Sequence, residues 1–181
     1  GEAMQVQAFR LFTAALLLLG LFVVGGIQAA TESGETEVYW DAVCWISFTV
    51  HSPIYLGTID ATAYATGYLE YIGPDGEMFI RTNCADGYTL EGEAIGLTVP
   101  DGFVGDVLAD FRWWVAKYDI QGVDFVQETE AAYPGLNQKV LVASSTTPGN
   151  DIVVMAYKYY VDVDDIPGKY AVQIRYTVTS R

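Results

Sequence analysis

A single histidine, His51, stands in a chain of 181 residues, and a serine or cysteine nucleophile would have to draw on it as its base. It occupies the polar parity of its segment beside Ser47 and Thr49, just ahead of Ser52-Pro53, which reads as a surface side chain. No Gly-rich loop follows a strand and opens a helix, so nucleotide chemistry has no support. The 23 acidic residues allow many carboxylate pairs for glycoside hydrolysis, but abundance does not set the separation such a pair needs. No catalytic set is visible, no cofactor is implied, and the chain reads as non-enzymatic.

Three other groups have types that could do chemistry. Cys44 and Cys84 are the only two cysteines. Two thiols and one histidine fall short of a zinc site, so in an oxidising compartment the pair reads as a disulfide, with two buried thiols as the alternative. Asp162, Asp164 and Asp165 put hard oxygen ligands close together and are weak calcium candidates, although they lack the spacing of an EF-hand loop; the other reading is a solvated acidic turn. Trp113 and Trp114 are adjacent and so point to opposite faces of a strand. One can be core while the other stacks on a sugar or meets a protein partner.

The chain opens on an apolar leader. Residues 11–27 carry no charge; Arg10 precedes them and Glu32, Glu35 and Glu37 follow. A basic inner flank and an acidic outer flank send the following domain across a membrane. With translation from Met4, residues 27–30 form a cleavage region, so 1–30 is a signal peptide, or a membrane anchor if it stays attached, since 17 apolar residues sit at the lower limit of a span. Residues 31–36 are a polar tether and 37–181 the domain. The 23 acids of the whole chain against 9 bases, a net charge of −14, would repel a phosphate backbone, so nucleic acid is not an expected partner. Contact with a membrane is expected only through the N-terminal segment.

Within the domain, apolar and polar residues alternate with period two. Cys44, Ile46, Phe48 and Val50 share one parity, and Tyr170, Val172, Ile174, Tyr176 and Val178 share another near the C-terminus. Residues 61–72 and 77–82 flank Gly73-Pro74-Asp75-Gly76 and read as a hairpin. Residues 86–96 suggest a bent or bulged strand, 106–109 one helical turn, and 111–118, 123–128, 138–144 and 152–163 further strands. The final strand, 170–179, is expected to be central to the core. About eight or nine strands without a helical period after the leader point to an all-β fold, an antiparallel β-sandwich.

Two segments resemble bacterial surface modules. Residues 81–90, Arg-Thr-Asn-Cys-Ala-Asp-Gly-Tyr-Thr-Leu, are similar to a segment of secreted sandwich domains such as the WxL-type wall-binding family; residues 167–179 resemble the terminal strand of those domains and of filament or matrix subunits. No Trp is followed two residues later by Leu, so the motif naming the WxL family is absent. The resemblance implies an extracellular or cell-surface sandwich with a structural, adhesive or wall-binding task and carries over no functional residue. The expected function is that of an exported envelope or extracellular subunit that associates with itself or with another envelope protein. A carbohydrate-binding module acting on polysaccharide through exposed aromatics is the alternative.

Overall fold

The computed structural model describes Glu37, Tyr39 and residues 41–181. The apolar leader and the tether lie outside the described residues. Residues Ala42–Arg181 form a compact unit built almost wholly of strands: β1 (Ile46–Val50), β2 (Tyr68–Thr82), β3 (Tyr88–Thr98), β4 (Phe111–Asp119), β5 (Val123–Val126), β6 (Lys139–Ser145), β7 (Gly149–Tyr160) and β8 (Ala171–Ser180). They make two antiparallel four-stranded sheets, ordered β1-β2-β7-β4 and β5-β6-β3-β8. The inward parities of both sheets meet in one apolar core that includes Met78, Ile80, Leu90, Trp113, Val142 and Met155.

Two short helices interrupt the strands. Helix α1 (Ala61–Thr66) falls where the alternation predicts strand. The helix wins because Asp60 caps its start, its carboxylate accepting from the Thr62 and Ala63 N–H groups at 2.9 and 3.0 Å. Gly67, at φ 82°, closes the end in the left-handed conformation, donating its N–H to the Ala63 carbonyl. Helix α2 (Val107–Asp110) is the expected turn, capped by Asp106.

The hairpin expected around residues 73–76 is not formed. β2 runs straight through: Ile72 pairs with Ala156 and Glu77 with Val154, so four residues bow out opposite Met155 of one partner strand. A Gly-Pro-Asp-Gly sequence supplies turn dihedrals in either case; here both flanks find their partners on β7 and the turn becomes a bulge. Gly76 has to be glycine, because a Cβ there would overlap the Met155 carbonyl. The bulged strand expected over 86–96 is present as β3, with Ile95 inserted between Ala94↔Ile174 and Gly96↔Gln173.

β8 corrects a second expectation. Its faces are as read, Val172, Ile174, Tyr176 and Val178 packing against the core while Gln173 and Arg175 are exposed. These four side chains are only half-buried and flank the core instead of forming its centre, because the strand is the edge of its sheet.

Candidate functional site

The two sides of the sandwich are finished differently. On the β4–β5 side, residues 127–131 stitch the sheets together: Val115 donates to the Gln127 carbonyl at 2.7 Å, Gln127 to the Val142 carbonyl at 2.9 Å, and Trp113 and Ala131 exchange two bonds at 2.9 Å. On the other side β1 and β8 are both sheet edges. Edges left unpaired present a row of backbone donors and acceptors.

This second side opens into a cavity of about 1010 Å³. Both bulges reach it, the β2 bulge through Asp75 and Gly76 and the β3 bulge through Ile95. Bulges bend a strand and locally raise its twist, so the two strands are bent away from regular pairing at the level where the space opens. Residues 50–59 run over the mouth, with Ile54, Leu56 and Ile59 half-buried and packed toward the core. Val172 and Ile174 of β8 form the facing wall, and the core residues Val107 and Phe111 lie at its depth.

Two tyrosine hydroxyls meet on the lining: Tyr157 and Tyr176 are 2.6 Å apart, O to O. Behind them Tyr133 is buried and its hydroxyl makes no hydrogen bond of normal geometry. Tyr133 and Tyr176 meet over Gly92, where a Cβ would sit 3.1 Å from Tyr133 Oη and 3.2 Å from Tyr176 Cε1. Burial pushes the Tyr157 phenol up to about 12 and raises those of Tyr133 and Tyr176 as well. The cluster is therefore neutral at ordinary pH. Nearby, the Tyr159 hydroxyl donates to Asp165 at 2.6 Å.

The candidates named from sequence are scattered. Cys44 and Cys84 are joined as a disulfide, Cα to Cα 4.7 Å, consistent with an oxidising extracellular environment. Trp113 is 1% exposed and stacked on Tyr133, ring centroids 5.5 Å apart, so it is a core residue and presents no face to a sugar. Trp114 does point outward, but the Lys158 ammonium lies 5.3 Å from its ring centre, and 4.9 and 5.8 Å from those of Tyr68 and Tyr160. Lys158 also pairs with Glu70, at 3.1 Å, and with Glu130. This aromatic box already holds its cation.

The three aspartates are turned to the needs of their own loop. Asp165 is buried and accepts from Tyr159 and from the Asp162 N–H, at 2.9 Å, while Asp162 accepts from the Asp164 N–H at 3.4 Å. Among the described residues no group of three acidic, His or Cys side chains is arranged to hold a metal ion. His51 is exposed, its ring edge-on to Phe79 at 6.1 Å.

Asp151 escapes the sequence analysis because the strand there is expected to begin at 152. In fact β7 starts at Gly149, and Asp151 shares the inward parity of Val153 and Met155. Its carboxylate is 1% exposed, accepting from Tyr88 Oη at 2.9 Å and the Gln121 N–H at 3.1 Å. Burial raises its pKa above the ordinary carboxylate value, partly offset by those two donors. A carboxyl raised by folding contributes stability below its unfolded value and loses it as pH climbs through the folded one. Asp151→Asn keeps an acceptor for Gln121 and removes the charge. It is expected to raise stability at neutral pH and to flatten the decline above the ordinary carboxylate range of about 4, measured as urea midpoints across pH. A profile parallel to that of the parent would refute this role.

Searches against protein-family models and against curated proteins find no match to this chain.

Proposed function

We propose that the chain is a non-enzymatic, exported subunit of a cell envelope or extracellular assembly, working in structure, adhesion or self-assembly by association through the open side of its sandwich. The observation that carries this reading is the contrast between the sides: one is stitched by residues 127–131, and the other leaves the edges β1 and β8 around an apolar groove. An edge strand accepts an added strand through main-chain hydrogen bonds, and pockets beside it read alternate side chains. The candidate donor is the segment 36–43 of a neighbouring copy, which includes Tyr39 and Val43, 81% and 77% exposed.

Deleting residues 31–43 from a leaderless chain is expected to abolish higher-order assembly while the disulfide-linked unit stays folded. Light scattering over a wide concentration range, with a circular dichroism spectrum of each protein, checks both halves. A leaderless parent that is monomeric throughout sinks the proposal.

A further inference from the structure

A void of about 1010 Å³ reaching to core residues is far outside the packing defects of a protein interior, where gaps larger than a water molecule are few. It matches the upper end of small-molecule sites, which are mostly apolar with a few convergent polar groups. The space is open to solvent on one side, and residues of both bulges line it.

The polar groups of the lining narrow the occupant. Tyr157 and Tyr176 share one hydrogen bond, which uses one of their two hydroxyl protons and leaves the other for a further acceptor. The Tyr133 hydroxyl, which makes no hydrogen bond of normal geometry, lies beside Tyr176 and off the cavity lining. An unmade hydrogen bond in an apolar site is costly, so a surplus of neutral donors favours a ligand that brings an acceptor oxygen. Ile54, Leu56, Ile95, Val172 and Ile174 supply an aliphatic stretch of the wall, and Thr58, Lys169 and Gln173 are among its polar members. Asp165 is already committed to Tyr159 and to its own loop. A net charge of −14 disfavours an anionic ligand.

We propose that the cavity between residues 50–59 and β8 binds an uncharged lipid-like molecule, its aliphatic chain along Ile54, Leu56, Ile95 and Ile174 and one ester, ether or alcohol oxygen on the Tyr157–Tyr176 hydroxyls. The proposal goes beyond association and does not rest on it: assembly is read by mass and ligand binding by fluorescence.

The test uses residues 31–181, which contain the whole compact unit Ala42–Arg181. N-phenyl-1-naphthylamine, a neutral apolar fluorophore, should bind saturably at one site and be displaced by 1-decanol. Ile174→Trp, which fills the cavity, should weaken the fluorophore by about tenfold or more, a large side chain displacing the ligand, with an unchanged circular dichroism spectrum. If that variant misfolds, Ile54→Trp on the covering segment asks the same question. Tyr157→Phe with Tyr176→Phe should weaken decanol by about three- to tenfold, the worth of one hydrogen bond, while the fluorophore binds as before.

Absence of saturable binding, or binding that survives both tryptophan variants, overturns the site. Undiminished decanol competition in the double phenylalanine variant overturns the role of the hydroxyls. Binding that vanishes as protein concentration rises and returns when residues 31–43 are deleted would give the cavity to a second copy of the chain and overturn the lipid assignment.

Discussion

Trp113→Ala is expected to cost about 3–5 kcal/mol of unfolding free energy, the range for truncating a buried aromatic to alanine. Trp113 is 1% exposed and anchors one end of a run of rings: it stacks on Tyr133, Tyr133 stacks on Phe111 at 6.3 Å, and Phe111 stacks on Tyr157 at 5.9 Å. Its main chain also closes the stitched side through Ala131, so the side chain and the backbone bridge support each other. Trp113→Phe should lose far less. A phenyl ring keeps most of the contact area, and the indole N–H that it removes has no partner.

The neighbouring Trp114→Ala is a control with a different mechanism. It removes one ring from around Lys158, a cation–π contact worth about 0.5–1 kcal/mol at a surface, and leaves the Glu70 and Glu130 ion pairs in place. Urea unfolding followed by tyrosine fluorescence and circular dichroism separates the two positions. Equal losses at 113 and 114 would show that the two faces of β4 are not divided into core and surface as described.

What the sequence made legible was facing. The alternation over 170–178 places Val172, Ile174 and Tyr176 toward the core, and the same logic identifies Trp113 and Trp114 as residues of opposite faces. What it left illegible was adjacency. A strand's own alternation is the same whether it lies at the centre or the edge of a sheet, so the position of β8 depends on pairings with β3 that no local pattern encodes. Gly73-Pro74-Asp75-Gly76 satisfies turn dihedrals both in a hairpin and in a bulge, and the choice is made by β7. The alanines of 61–66 fit either period until Asp60 and Gly67 are recognised as a matched pair of caps. The cavity was the least accessible feature, because its lining combines bulges in two strands of different sheets with a loop distant in sequence. Asp151 was within reach: extending the parity of Val153, Met155 and Tyr157 by one more step places a carboxylate in the core.

Replacing both cysteines, Cys44→Ser with Cys84→Ser, is expected to lower stability by about 4 kcal/mol without changing the fold, the chain-entropy value for a cross-link closing a loop of this length; the two are 40 residues apart. The fold should survive because the bridge is not alone. Asn83 accepts from the Trp45 N–H at 2.7 Å and donates to the Val43 carbonyl at 2.9 Å, and Thr82 donates to the Trp45 carbonyl at 3.0 Å. These bonds hold the entrance of β1 against the end of β2 when the covalent tie is gone. The loss should nevertheless be uneven. β1 has five residues and one neighbour in its sheet, so little else restrains it, and it leads directly into the segment over the cavity. Hydrogen exchange should therefore accelerate first at Ile46–Val50 while the central strands β2, β7, β3 and β6 open only with global unfolding. A loosened β1 releases Val50 and the cover formed by Ile54, Leu56 and Ile59, so binding of N-phenyl-1-naphthylamine should weaken in the same variant before the protein unfolds. A stability change below about 1 kcal/mol, far short of the chain-entropy value, with β1 protected as in the parent, would show that the hydrogen bonds of Thr82 and Asn83 suffice and that the disulfide has no part in holding the open side together.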